Sequence, residues 1–329
     1  MPATPPSAAS DHGYRALRES AAWVDLGPRG TVAAAGDDAV RFVDKFTTAP
    51  VAALDVDAGT EGFFCDAKGH VLALATILRT DDGLLLDCSA SMAGTLRDHL
   101  EHYHIRERLD LVDATADTAA VVIAGPKAAP WLAERAAVPT RLGDHVRTSF
   151  GGIPVQLVAT GMLGSGTFLA RVAAADAPPL REWLAVQGLP RAKAAAFEAV
   201  RIEERYPEPA DIPDKVLPQE LDRTGQAISF TKGCYLGQET VARLDALGHV
   251  NRILSLVAID APGPPPPGTP LLLDGQDVGV LTSTGMSPRL GAIGLGLVHR
   301  RGASAVLTVG GAAARVVDAA RSSRQEPRP

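Results

Sequence analysis

Apolar residues in this chain come in short runs broken by glycine, proline and paired acidic residues. Such runs predict buried strands with a few interleaved helices. Residues 71–79 and 84–88 flank Asp81-Asp82-Gly83, a hairpin signal. Residues 153–159 and 167–173 flank Gly161-Met162-Leu163-Gly164-Ser165-Gly166. That stretch lies between strand-like runs and opens no helix. It therefore lacks the helix-end N–H groups that cradle a phosphate, and a hairpin turn is expected. Helices are expected over residues 92–102, 180–187 and 192–205, and a proline-rich loop over 207–218. Two segments share one rhythm. Residues 31–39 run into Phe42 and Val43, and residues 120–128 into Trp131 and Leu132, both with the spacing Gly-x-x-Ala-x-x-aromatic. This predicts two similar α+β halves, each a small sheet backed by helices. Past the proline-rich residues 261–270 the runs shorten to 271–273, 278–282, 293–299, 305–309 and 313–317. Asp274-Gly275 and Gly310-Gly311 mark turns between them, so a small antiparallel barrel is expected. The domain reading is a body over 12–250, with halves of about 20–115 and 116–250, then a barrel over 251–320. Residues 1–11 and 321–329 are expected to be disordered tails.

Composition narrows this picture. The chain has 329 residues, 46% hydrophobic and 21% charged, with a net charge of -6 and a pI near 5.8. Those values describe a globular protein of two or three domains and argue against a nucleic-acid-binding surface. The cysteines, Cys65, Cys88 and Cys234, show no paired spacing, so no disulfide framework is expected and a reducing, cytoplasmic setting fits. Residues 1–10 have neither the apolar core of a secretory signal nor the arginines of a mitochondrial presequence. No apolar run is long enough to span a membrane. His99, His102 and His104 cluster without the acids or cysteines that metal sites normally add, so no metal is expected.

Candidate chemistry concentrates in Lys232-Gly233-Cys234-Tyr235-Leu236-Gly237-Gln238-Glu239. The run 227–230 precedes it, and Val241, Leu244 and Leu247 follow at helical spacing. Cys234 is thus expected where a strand hands over to a helix. The helix N-terminus and the Lys232 ammonium would there favour thiolate. A buried structural cysteine is the equal alternative from local chemistry. Arg201-Ile202-Glu203 closes a predicted helix, and from the residues alone Glu203 reads as a solvated helix-end acid.

The octapeptide, followed by Val241-Ala242-Arg243, resembles the signature of the YgfZ-type folate-binding proteins. These are relatives of the glycine-cleavage aminomethyltransferase, or T protein. The resemblance spans roughly residues 21–318. It implies an α+β body of two ferredoxin-like-type halves and a C-terminal antiparallel β-barrel. It also implies tetrahydrofolate or a derivative as cofactor, and iron–sulfur client or assembly proteins as partners. It puts Glu203 on the pterin, since a carboxylate accepts two adjacent N–H donors as a bidentate pair. Arg201, Tyr235, Gln238 and Arg243 join it as cofactor-binding residues, Arg243 toward the glutamate tail. Cys234 and Lys232 carry the reaction. Pro218-Gln219-Glu220-Leu221 resembles a structural element of the family. Two departures stand out. The family's glycine after Arg-x-Glu is replaced in Arg205-Tyr206-Pro207. In Gly69-His70-Val71-Leu72-Ala73, Ala73 stands where the methyltransferases carry an aspartate, which argues against conventional aminomethyl transfer, with His70 as a substitute acid–base candidate. The alternative function is a tetrahydrofolate-dependent one-carbon transferase or demethylase.

Overall fold

The computed structural model describes residues 8–248 and 250–317. Helix α1 (Ala8–Glu19) leads into strand β1 (Ala22–Pro28). One sheet is built from β2 (Gly30–Ala35), β3 (Gly59–Cys65), β4 (Val71–Thr80), β5 (Gly83–Cys88) and β6 (Asp110–Asp113), in the order β3-β4-β5-β2-β6. Helices α2 (Ala39–Asp44) and α3 (Ala93–Tyr103) cover it. The second sheet holds β7 (Thr118–Ala124), β8 (His145–Phe150), β9 (Ile153–Thr160) and β10 (Thr167–Ala173), and it takes β1 as its edge, in the order β8-β9-β10-β7-β1. Helices α4 (Ala128–Ala133) and α5 (Ala177–Val186) cover this one. All pairings in both sheets are antiparallel.

The internal repeat is therefore real in three dimensions. The two strand orders match, and the paired glycines Gly36 and Gly125 carry similar backbone angles, φ 127° and 122°. The halves are also interlocked. β1 precedes the first half in sequence but pairs with β7, and β6 precedes the second half but pairs with β2. Each half lends its leading strand to the other. The Pro28-Arg29-Gly30 link, where the chain changes sheet, is tied down by the Arg29 N–H donating to the Thr118 carbonyl at 3.1 Å.

Strand alternation sorts each sheet into two faces. Outward residues such as Val32, Ala73, Ala75, Ile77 and Leu86 pack under α2 and α3. Inward residues such as Phe63, Cys65, Leu74 and Leu78 meet Val24, Val122, Val158 and Leu169 of the other sheet. That central core continues through α6 (Ala194–Glu203) into the barrel. The barrel closes through β11 (Arg252–Ile259), β14 (Gly291–His299), β13 (Gln276–Ser287), β12 (Pro270–Leu273), β15 (Val306–Val309) and β16 (Ala312–Val316). The expected α+β body and antiparallel barrel are both present.

Several details differ from the sequence reading. α1 begins at Ala8, within the stretch read as an N-terminal tail. Residues 1–7 and 318–329 of the expected tails lie outside the described residues. The run 227–230 is not a strand. A short helix, α7 (Thr224–Ala227), ends there and an irregular loop leads into α8 (Gln238–Leu247). Ala227 is buried but Phe230 is 43% exposed, so the run lacks the alternating burial of a sheet strand.

Candidate functional site

The octapeptide loop is fixed at two points. The Lys232 ammonium donates to the carbonyls of Asp44, Thr47 and Ala49 at 2.5, 2.8 and 2.7 Å, with the Asp44 carboxylate at 3.3 Å. Its three hydrogens are used by the loop after α2. Burial pushes the Lys232 ammonium pKa down, and Asp44 opposes the shift. The ammonium also lies 5.3 Å from the ring centre of the buried Tyr235, whose phenol burial pushes up. The second point is a backbone contact. Gly237 caps α8 at φ 82° and Gly69 turns the β3–β4 hairpin at φ 82°. A Cβ on Gly237 would lie 2.8 Å from the Gly69 Cα, and one on Gly69 would lie 2.9 Å from Thr240. Both glycines are required by close approach and by positive φ.

Between these points Cys234 is exposed, whereas Cys65 and Cys88 are buried. Burial pushes the Cys65 thiol up strongly and the Cys88 thiol up to about 12. Of the described cysteines, Cys234 is the one that solvent reaches. Gln238 opens α8, and Arg243 on the same helix is exposed. Among the described residues Arg243 forms no ion pair with Glu239 or Asp245. His70 is held in the hairpin turn by Asp66, whose Oδ2 lies 3.0 Å from Nδ1.

Glu203 and Arg201 sit elsewhere. The Glu203 carboxylate is buried at the joint of α1, α6 and the barrel. Tyr14 donates to both its oxygens at 2.8 and 3.0 Å, Arg289 donates at 3.1 Å, and Arg18 and Ser287 donate as well. Burial alone would raise the Glu203 pKa, but the hydrogen bonds from Ser287, Tyr14 and Arg18 outweigh it and hold the carboxyl below its usual range. Arg201 is almost wholly buried. It donates to Asp211 at 2.8 Å, to the Tyr206 carbonyl at 2.7 Å and to Ser283 of the barrel at 2.9 Å. Asp211 in turn accepts from Thr282 and Ser283. This cluster fastens the body to the barrel. Glu220 does the same work further on, accepting from Arg252 at 2.7 Å. Arg205 keeps the backbone that a glycine would take, with φ 55°, and pairs with Asp222 at 3.0 Å. The chain path survives the missing glycine at a cost of roughly 1–2 kcal/mol.

The inner faces of the two sheets enclose a polar cluster that the sequence reading did not single out. Asp87 on β5 accepts from Arg29 at 2.9 Å and lies 3.1 Å from Arg171 on β10. Arg171 also donates to Gln156 at 2.5 Å and Thr31 at 2.7 Å. All but Gln156 are buried. Nearby, Arg223 is ion-paired with the buried Glu61 and stacks 4.8 Å from the Tyr206 ring centre. The cluster borders a small cleft of about 20 Å3, room for about one water, lined by Arg29, Leu74, Ser89, Tyr206, Glu208 and Ile212, among others. The available signal was a lone charge inside an apolar strand, as in Leu84-Leu85-Leu86-Asp87 and Phe168-Leu169-Ala170-Arg171. On β4 the cleft-facing residue is Leu74, while Ala73 packs outward under the helices. Neither position offers a carboxylate.

Two family models cover nearly the whole chain: the GCVT N-terminal domain over residues 3–232 and the glycine cleavage T-protein C-terminal barrel domain over residues 251–321. The chain belongs to the GcvT family. Within that family it is similar to a chloroplastic protein of Arabidopsis thaliana, 27% identical over 91% of this chain and 70% of the relative. An aminomethyltransferase of Symbiobacterium thermophilum is 28% identical over 84% of this chain and 78% of its own. A tRNA-modifying protein YgfZ of Colwellia psychrerythraea is 26% identical over 70% and 69%. Among solved structures, the aminomethyltransferase T of Bartonella henselae superposes with a TM-score of 0.82 at 18% identity, covering 94% of this chain and 88% of that one. That likeness establishes the GcvT fold. No helix among the described residues is long and apolar enough to cross a membrane.

Proposed function

We propose that this GcvT-family chain is a folate-binding, YgfZ-like protein that supports assembly or repair of iron–sulfur proteins, with Cys234 as its reactive thiol. The observation that carries the reading is the exposure of Cys234 on a loop pinned by Lys232 on one side and by Gly237 against Gly69 on the other. A group held in place yet open to solvent suits thiol chemistry. Tetrahydrofolate would occupy the space between the two sheets, near the Arg29–Asp87–Arg171 cluster. The iron–sulfur client is the partner, and the reduced cysteines suit a cytoplasmic setting. The YgfZ relatives are named for tRNA modification. With a net charge of -6, this chain is read as serving a client enzyme and not as contacting tRNA itself.

The test is Cys234→Ser in a strain lacking the native gene. Fold and folate affinity should be unchanged, and the activity of iron–sulfur enzymes should not be restored. Full rescue by the serine variant would remove the thiol from the mechanism. A second reading, tetrahydrofolate-dependent one-carbon transfer, is favoured by the aminomethyltransferases among the relatives and by the Glu208 carboxylate on the cleft. Turnover of an aminomethyl or N-methyl donor in the presence of tetrahydrofolate would establish it.

A further inference from the structure

His145 opens β8, and its side chain is only 1% exposed. Its Nε2 reaches the first half, 3.1 Å from the Arg79 carbonyl on β4. A carbonyl only accepts, so Nε2 carries a hydrogen. On the other side Nδ1 lies 3.1 Å from Nε2 of Gln156 on β9. The Gln156 amide is oriented by Arg171, which donates to its Oε1 at 2.5 Å, since a guanidinium has donors only. Gln156 therefore presents an N–H to His145, and Nδ1 is the acceptor. These neighbours fix His145 as the neutral Nε2–H tautomer. One relay thus runs from the Arg79 carbonyl through His145 and Gln156 to Arg171. Arg171 returns to the first half, donating to Thr31 at 2.7 Å and lying 3.1 Å from Asp87. The charges around the ring come from several elements. Asp57, in the loop before β3, has Oδ1 3.8 Å from Nδ1. Arg147, further along β8, lies 3.7 Å from Asp57 and 2.5 Å from Asp81 of the β4–β5 hairpin. Arg171 faces the ring from β10, while the Arg79 guanidinium is turned to the Thr80 and Gly83 carbonyls. Burial pushes the imidazole pKa down; the Arg79 carbonyl and Asp57 oppose the shift, and Arg171 and Arg147 add to it.

We propose that His145 is a proton-operated switch in the tie between the two halves, with Gln156 as its partner when neutral and Asp57 as its partner when charged. A proton from solvent, which reaches the half-exposed Asp57, adds to Nδ1. Both ring nitrogens are then donors, and the new N–H points at the N–H of Gln156. The ring turns Nδ1–H to the Asp57 carboxylate and keeps Nε2–H on the Arg79 carbonyl. Gln156 loses its acceptor, and the amide that Arg171 donates to is no longer held from behind. A proton taken up at the rim thereby loosens the polar cluster between the sheets. The sign follows from the folded pKa, which lies below the ordinary 6.5. The unfolded chain takes the proton first as pH falls, so the stability contributed by neutral His145 is complete above about pH 6.5 and is lost below it.

The test follows the His145 ring nitrogens by NMR in the full chain from about pH 8 down to about pH 5, with thermal melts over the same range. At the alkaline end the ring should be the Nε2–H tautomer. As pH falls it should charge, and the Gln156 side-chain amide should shift with the same midpoint. His145→Gln keeps an N–H for the Arg79 carbonyl and titrates nowhere in this range. The gap in melting temperature between wild type and this variant should be constant above about pH 7, and below about pH 6.5 wild type should lose ground. Asp57→Asn removes the acceptor of the charged state. It should move the His145 midpoint to lower pH and leave the tautomer at the alkaline end unchanged. An Nδ1–H tautomer there, a ring still neutral at the acid end, or a melting gap that ignores pH would each overturn the switch. A midpoint unmoved by Asp57→Asn would overturn Asp57 as the second partner, and with it the two-state design. If His145→Gln does not fold, the wild-type titration and Asp57→Asn decide the matter without it.

Discussion

Lys232 illustrates how a single residue in a signature can have two readings. Next to a cysteine in sequence, it suggests a charge that stabilises a thiolate. In the fold its ammonium is a three-way donor to backbone carbonyls of the loop after α2, of which that of Ala49 also accepts from the Val51 N–H at 3.0 Å. Leaving a buried polar group unpaired costs about 1–3 kcal/mol. Lys232→Met should therefore lower unfolding stability by about 2–4 kcal/mol, read from urea denaturation, because several acceptors lose one donor together. A variant as stable as wild type but inactive would show that the ammonium acts in chemistry instead. At this scale local chemistry left Cys234 open between an exposed and a buried thiol, which the fold decides as exposed, and it did not give the direction of the Lys232 side chain. Direction depends on α2, far away in the chain, and no local spacing encodes it.

Elements were more legible than contacts. The β4–β5 hairpin, the glycine-rich turn between β9 and β10, and most barrel strands followed from alternation and turn residues. β1, β3, β8 and β11 were harder, since their apolar runs are short or interrupted, as in Gly59-Thr60-Glu61-Gly62. The inward acids and arginines were missed for the same reason. Parity along a strand shows that two residues share a face, but not that another sheet lies opposite. The joint of α1, α6 and the barrel gives a test at this scale. Glu203 has a folded pKa below its ordinary value of 4.5, so the unfolded chain takes up its proton first as pH falls. The stability it contributes is complete above about pH 4.5 and is lost as pH drops through the lower, folded value. Glu203→Gln should cost about 2–3 kcal/mol at pH 7, less than a fully buried pair because Arg18 and Arg289 are partly exposed. The gap in melting temperature between the two proteins should close below pH 4.5. A gap that stays constant to pH 3 would mean that shape, not charge, holds the joint.

Across the whole molecule, Asp87 is the shared partner of a guanidinium from the strand crossover and one from the second sheet. Asp87→Ala would leave two buried cations against each other. Removing one member of a buried ionic cluster costs about 3–5 kcal/mol. Because each sheet contains a strand from the other half, the loss should appear as one transition by every probe. Tryptophan fluorescence, which reports on the sheet carrying Trp23, Trp131 and Trp183, should melt together with far-ultraviolet circular dichroism. Two separated transitions would show that the halves unfold independently. The repeat itself was readable from Gly36 and Gly125, but the interlocking was not, since a strand's partner is fixed by topology and not by its own residues.

That interlocking also orders events during synthesis. When the ribosome has delivered residues up to Asp113, the first sheet has all of its strands, yet Ala22-Trp23-Val24 still waits for Thr118–Ala124. The nascent chain carries a sticky apolar ribbon that nothing yet made can cover. It is open to chaperones, or to the same ribbon on a neighbouring polysome, until a few more residues emerge.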